Sequence, residues 1–319
     1  MADRTIAGKA DLVIIGSGPA GLSAAVYGKR AGFEVLVMEK SPMSGGQVLN
    51  TCEVDNYLGM PGIDGFEMGM KFRQHAEKMG VIFEHAEATG ITDAGVHKII
   101  AVKDGDTKKV YQAEAVIIAT GASHALLQAP GEERLTGHGV SYCATCDGAF
   151  FRNKTAAVVG GGDVAVEDAI FLSGICEKVW LIHRRDSLRA AKSLQDALFQ
   201  CRNVEVLWDS VVEEICGQEK VESLKLRRLK EDRMEELQAD GVFIAVGIRP
   251  NTELLQNIVT YDEGGYVMAG EDCATQTPGI FAAGDVRSKR LRQIVTAVAD
   301  GANAVAGVEK YFRERKGRQ

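Results

Sequence analysis

Short apolar runs, each broken by glycine, set the rhythm of this chain. From Asp11 the residues Leu12, Val13, Ile14 and Ile15 read as a strand, and Gly16, Ser17, Gly18, Pro19, Ala20 and Gly21 follow as a tight turn opening a small-residue helix. A second apolar run at 35–38 ends at Glu39, completing a βαβ unit. The pattern returns 144 residues later: an apolar run at 156–159, the turn Gly160, Gly161, Gly162, Asp163, Val164 and Ala165, a helix to about Ser173, and a strand at 179–182. Ala165 replaces the third glycine and still permits close helix packing. Three more apolar runs end in glycine turns: 115–119 before Thr120 and Gly121, 240–246 before Gly247, and 279–283 before Gly284 and Asp285. Arg292, Gln293 and Ile294 then open an alanine-rich stretch to about Val308 that reads as a long buried helix. This order inserts the second nucleotide unit into the first. The expected fold is α/β, with two Rossmann-like three-layer nucleotide-binding domains: a discontinuous one of residues 1–117 and 248–319, and an inserted one of residues 118–247.

The glycines matter because a pyrophosphate must come close to the backbone, where a helix N-terminus offers unpaired N–H groups and the positive end of its dipole. What differs between the two units is the ribose-reading position. Glu39 lies 21 residues after Gly18, and His183 lies 21 residues after Gly162. Glu39 accepts from ribose hydroxyls and repels a 2′-phosphate, whereas His183, Arg184 and Arg185, with Arg189 one turn on, suit one. The pair of sites therefore points to a dinucleotide without a 2′-phosphate, such as FAD, and to NADP(H). A solvated charged loop is the competing reading of the basic run.

Composition narrows the classes. A chain of 319 residues with 45% apolar residues fills two globular domains, and a net charge of −7 argues against a general nucleic-acid or membrane-surface binder. The opening MADRTIAGKA lacks a secretory core, and no apolar run approaches the roughly 20 residues of a membrane helix, so a cytoplasmic protein is expected. The seven cysteines, at 52, 143, 146, 176, 201, 216 and 273, are scattered and odd in number, and most are expected to be buried thiols.

One pair stands apart. In VSYCATCDGAFF, Cys143 and Cys146 are three apart and Asp147 follows directly. The pair could be half a zinc site, a structural disulfide, a redox-active dithiol or an accident. A zinc module needs two more ligands at close spacing, and no second CxxC or HxxxH exists. In a reducing compartment a CxxC is otherwise more often redox-active than structural.

In chain order, the Gly16–Gly21 turn, Gly45-Gly46-Gln47, Ala119-Thr120-Gly121, CATCD, the Gly160–Asp163 turn, His183-Arg184-Arg185-Asp186, Gly284-Asp285 and Arg292-Gln293 resemble the low-molecular-weight flavoprotein thioredoxin reductases of bacterial type. The resemblance spans essentially the whole chain. It implies FAD contacts at Gly16, Ser17, Gly18, Pro19, Ala20 and Gly21, at Glu39 and Lys40, at Gly46 and Gln47, and at Asn56 and Ala88. It implies others at Thr120, Gly121, Gly284, Asp285, Arg292, Gln293 and Ile294. NADPH would be held by Gly160, Gly162, Asp163 and Val164 at the pyrophosphate and by His183, Arg184, Arg185 and Arg189 at the 2′-phosphate. Val164 departs from the hydroxyl residue frequent in relatives, and residues 49–52 depart from their threonine-rich run.

By the same resemblance, Cys146 receives electrons from the flavin, Cys143 attacks the disulfide of thioredoxin, and the chain is a homodimer. Asp147 is the general acid and base, with capping of the following turn as its bland alternative. Because dithiol and nicotinamide share one domain and the flavin belongs to the other, rotation is expected about the segments 119–123 and 246–251. Arg134, Arg152 and the run 287–292 are weaker candidates for partner docking.

Overall fold

The computed structural model describes residues 6–51, 53–104 and 107–317. The chain forms two compact units: Met1–Leu49, Tyr57–Ser123 and Arg249–Gln319 make the first, and Asn50–Asn56 with His124–Ile248 the second.

In the first unit, β1 (Ile6–Ile15) runs into α1 (Pro19–Arg30), followed by β2 (Val35–Glu39), α2 (Gly65–Lys78), β3 (Ile82–His85), β4 (Glu87–Ala94), β5 (His97–Asp104) and β6 (Thr107–Ile118). The sheet order is β3-β2-β1-β6-β5-β4, with the late strand Ile280–Ala282 also pairing β6. Strands β3, β2, β1, β6 and Ile280–Ala282 are parallel, while β5 is antiparallel to β6 and β4 is antiparallel to β5. Leu12, Val13 and Ile14 are fully buried because β1 is a central strand covered on both faces.

One face packs on α1 and the long C-terminal helix, through Leu22, Ala24, Ala25, Ala297, Ala304 and Val308. Small residues set how closely these helices approach: a Cβ on Gly301 would strike the Ala20 carbonyl and stand 2.8 Å from the Ala24 nitrogen. The alanine-rich stretch is thus a helix–helix seam. It runs as Ile294–Lys316, beyond the apolar part that the sequence marks.

Of the four places where the chain crosses between the units, two lie at 123/124 and 248/249. Here β7 (Ala122–His124) pairs with Ile248–Pro250 as a two-stranded sheet. Asn251 ties the first of these: its Nδ2 donates to the Thr120 carbonyl at 2.9 Å, and its Oδ1 accepts from Ser123 Oγ at 2.8 Å.

The second unit holds α3 (Glu132–Leu135), β8 (Val140–Ser141), α4 (Ala144–Asp147), β9 (Thr155–Gly160), α5 (Asp163–Ser173), β10 (Lys178–Ile182), α6 (Lys192–Leu198) and β11 (Val204–Leu207). After them come β12 (Ser210–Cys216), β13 (Ser223–Arg228), β14 (Arg233–Gln238) and β15 (Gly241–Ala245). Its parallel sheet has the order β11-β10-β9-β15-β8, and β12-β13-β14 form a separate antiparallel sheet. The core between α5, α6 and the parallel sheet centres on Val158, Ala165, Leu172, Leu181 and Phe243. The opposite face packs on β12–β14 through Val159, Ile215, Leu224 and Leu226. Both units are therefore three-layered α/β folds.

Candidate functional site

The first glycine turn places α1 with its N-terminus free. Gly18 is the N-cap, Pro19 begins the helix, no side chain caps it and no acid occupies its first turn. Pro19 pre-sets the helical φ and lacks the N–H that would stay unpaired there. A side chain at Gly21 would collide with the Gly16 carbonyl, so the turn must stay bare and its backbone reachable. Unpaired N–H groups without competing acid suit a pyrophosphate. Ser17 is fully buried, and its amide and hydroxyl each donate to Glu39 Oε2 at 2.8 Å. Glu39 Oε1 accepts from the Ser41 amide at 2.8 Å, which fixes the carboxylate and leaves lone pairs for hydroxyl donors. Beyond it lies an open recess of about 470 Å³ lined by Lys40, Ser41, His85, Ala86, Glu87 and Lys103. Ala88 continues the same edge on β4.

Gly46 and Gln47 lie in a single 3₁₀ turn, Gly46–Asn50, and Gln47 Nε2 donates to the Ala122 carbonyl at 2.6 Å. Gly284 and Asp285 lie in the turn Gly284–Val286, directly after the strand Ile280–Ala282. Asp285 is the sharpest feature here. Its Oδ1 is buried with no hydrogen-bond partner among the described residues, and burial pushes its carboxyl above the usual carboxylate range. Arg292 Nε is likewise buried and unpartnered, while the guanidinium lies 3.9 Å from the Tyr266 ring centre. Gln293 caps the C-terminal helix, which begins at Ile294. A buried acceptor and a buried donor without hydrogen-bond partners among the described residues, with the bare N-terminus of α1 in the same unit, fit a polar dinucleotide. Asn56 is exposed and falls in the segment Asn50–Asn56, which groups with the second unit.

In the second unit Gly162 is the N-cap of α5, without a side-chain cap. Gly160 and Ala165 pack so tightly that a Cβ on Gly160 would come within 2.6 Å of the Ala165 Cβ. Asp163 Oδ1 accepts from the Ala191 amide at 2.8 Å, tying the loop after β10 to the start of α5. Val164 is exposed. Arg184, Arg185 and Arg189 are all exposed, and the Arg189 amide donates to the Gly161 carbonyl at 2.8 Å.

His183 differs from its expected place among these cations. It is 5% exposed, its ring fills the space beneath Gly161, and Nε2 lies 3.1 Å from the Ser187 carbonyl. Burial holds its pKa down, so the ring is a neutral wedge between the glycine turn and the arginine loop. Registration with Glu39 located the position, but the short Gly161 contact decides the direction of the ring.

Cys143 and Cys146 are joined by a disulfide, with Cα atoms 5.3 Å apart. The amides of Cys146 and Asp147 donate to the Cys143 carbonyl at 3.2 and 3.1 Å, so the one-turn helix α4 holds the sulfurs on one side of the chain. Asp147 does not cap the following turn. Its Oδ2 accepts from Ser141 Oγ at 2.6 Å, and its Oδ1 is buried with no hydrogen-bond partner among the described residues. Burial raises its pKa, and the Ser141 bond opposes only part of that rise. The result is a half-buried carboxyl able to carry a proton.

Sequence reasoning passed over Ser141, whose hydroxyl oxygen also accepts from the Cys143 amide at 3.1 Å. It likewise passed over Asp300, whose acid inside an apolar helix was a visible signal. The docking role expected for the run 287–292 is corrected at Arg287, which is 8% exposed and paired with Asp300 at 2.7 Å. Among the free cysteines, Cys176 and Cys273 are buried, with pKa values pushed by burial up to about 11 and about 12, which marks them as inert. Cys201 and Cys216 are only half-buried, and Cys52 lies outside the described residues. No group of three or more metal-ligating side chains occurs among the described residues. No helix among them is long and apolar enough to cross a membrane.

Comparison with known proteins places this arrangement. The thioredoxin reductase of Listeria innocua is 45% identical over 307 residues, 96% of this chain and 95% of the relative. That of Bacillus subtilis is 43% identical over 305 residues, 95% of each chain. The crystal structure of thioredoxin reductase from Streptococcus pyogenes superposes with a TM-score of 0.90 at 45% identity, covering 96% of this chain and 99% of that one. Residues 10–301 match the pyridine nucleotide-disulphide oxidoreductase family, and the chain is an oxidoreductase that belongs to it.

Proposed function

We propose that this chain is an NADPH-dependent thioredoxin-disulfide reductase, in which electrons pass from NADPH through FAD to the Cys143–Cys146 pair and on to the disulfide of thioredoxin. The observation that carries the reading is the dithiol in its oxidised form, backed by Asp147 with a buried, unpartnered oxygen, in the same unit as the Arg184, Arg185 and Arg189 loop. FAD is the required go-between because it exchanges a hydride with nicotinamide and an electron pair with sulfur.

The first unit holds FAD. Its pyrophosphate would rest on the α1 N-terminus, Glu39 would accept from ribose, and Asp285 and Arg292 would meet its remaining polar groups. The second unit holds NADPH, its pyrophosphate at the α5 N-terminus and its 2′-phosphate on Arg184, Arg185 and Arg189. His183 supports that loop from beneath.

Reduction breaks the Cys143–Cys146 bond as two electrons enter at Cys146, and the thiolate released at Cys143 takes a proton from Asp147. In the second half-reaction Cys143, returned to thiolate by Asp147, attacks one sulfur of the thioredoxin disulfide. A mixed disulfide forms and one thioredoxin thiolate leaves. Cys146 then attacks Cys143, restoring the enzyme disulfide and releasing the second thioredoxin thiolate. Rotation about the chain segments 119–123 and 246–251 would let the dithiol serve both half-reactions. The reading carries with it a homodimer and a reducing cytoplasmic setting.

Thioredoxin-dependent NADPH oxidation by the purified protein tests the reading directly, and its absence with FAD bound overturns it. Asp147→Asn isolates the proton step. General acid catalysis is worth about a hundredfold or more, so turnover with thioredoxin falls by about that factor while flavin reduction by NADPH is unchanged. The acid is present below the raised pKa of Asp147 and lost as pH rises through it. The wild-type rate of disulfide opening therefore falls on the alkaline side, and Asp147→Asn abolishes that limb.

A further inference from the structure

A cluster of charges lies behind Asp285, and the electron route above does not use it. Asp300, 3% exposed on the C-terminal helix, is saturated with donors. Its Oδ2 accepts from the Gly284 amide at 2.9 Å, Arg287 Nε at 2.9 Å and Lys289 Nζ at 3.0 Å, and its Oδ1 accepts from Arg287 Nη2 at 2.7 Å. Lys289 Nζ also stands 3.6 Å from Asp285 Oδ1, the oxygen without a hydrogen-bond partner. Asp300, Arg287 and Lys289 thus form a buried charge cluster that grips the Gly284–Asp285 turn by its backbone and its charge. Buried polar groups of this kind are costly unless matched, and removing one partner leaves the rest uncompensated.

Resting on the proposed FAD site, we infer that Lys289 and Asp300 are positioning residues for Asp285. Asp300 fixes the turn through the Gly284 amide and holds Lys289. Lys289 in turn keeps Asp285 ionised, with one oxygen aimed to accept from a hydroxyl of the bound dinucleotide. The charged groups facing Asp285 are Lys289, Arg292 and Asp300, with Tyr266 beyond Arg292, while α1 meets this turn through Ala20. Burial and Asp300 favour the neutral acid, and Lys289 and Arg292 favour the carboxylate. Without Lys289, Asp285 takes up a proton at higher pH and its oxygen is lost as a pure acceptor.

The test follows FAD release from the full-length protein, by recovery of free-flavin fluorescence, between about pH 5 and 9. In the wild type, affinity is full above the pKa of Asp285 and falls as pH drops through it. In Lys289→Met the midpoint moves up by about one unit or more, so FAD binds about tenfold more weakly on the acid limb than in the wild type. Lys289→Arg restores the wild-type midpoint, and Asp285→Asn removes the pH dependence. An equal loss at every pH in Lys289→Met, an unmoved midpoint, or a transition that survives in Asp285→Asn overturns the inference while leaving the FAD site standing. A wild-type protein that retains no FAD at any pH overturns the FAD site and this inference with it.

Discussion

Cys146→Ser is expected to let NADPH bleach the flavin at the wild-type rate and to lower thioredoxin reduction by about three orders of magnitude or more. The variant leaves the α1 turn, Glu39, Asp285 and the arginine loop untouched, so both nucleotides bind and the hydride passes. The disulfide observed between Cys143 and Cys146 can no longer form, and nothing delivers the electron pair to sulfur. Cys143 alone, even as thiolate, would stop at a mixed disulfide with no neighbour to resolve it. The four free cysteines among the described residues offer no substitute: Cys176 and Cys273 are buried thiols with strongly raised pKa values, and Cys201 and Cys216 lie on other elements. Stopped-flow absorbance of the flavin together with thioredoxin turnover makes the comparison. A variant that reduces thioredoxin normally contradicts the assigned electron route.

The second large effect falls on nucleotide choice. Arg184→Gln combined with Arg185→Gln is expected to raise the KM for NADPH by about a hundredfold and to leave the KM for NADH nearly unchanged. Each charge-assisted bond to a 2′-phosphate contributes about 1.5 kcal/mol or more, so two of them separate the coenzymes by about two decades. Both side chains are exposed, in keeping with a phosphate that docks from solvent. His183→Gln behaves differently: the loss of its ring from beneath Gly161 loosens the whole loop and weakens both coenzymes alike. Steady-state kinetics with the two nucleotides separates the cases. An equal loss for NADPH and NADH in the double variant removes the 2′-phosphate assignment.

Much of this was legible in the chain because the relevant signals are local. Strand, bare turn and small-residue helix sit within about 30 residues, and the structure forms them at β1–α1–β2 and β9–α5–β10. The antiparallel pieces, β4 with β5 and β12 with β13 and β14, escaped notice. Their strands alternate buried and exposed positions and carry many charges, and the one continuous apolar run among them, 99–102 in β5, is followed by Lys103 and Asp104 rather than by a glycine turn. The site divides in the same way. Cys143, Cys146 and Asp147 are adjacent and were readable. That His183 turns inward, that Asp163 is engaged by Ala191, and that Arg287 pairs with Asp300 depend on contacts between residues 13 to 28 positions apart. Periodicity carries no information on these.

Anaerobic titration with NADPH, watching the flavin absorbance and then adding oxidised thioredoxin, tests the central claim most directly. A flavin and a disulfide in series accept about two equivalents of NADPH per chain, and thioredoxin then reoxidises the protein. Uptake of a single equivalent, or a reduced protein that thioredoxin leaves unchanged, would contradict it.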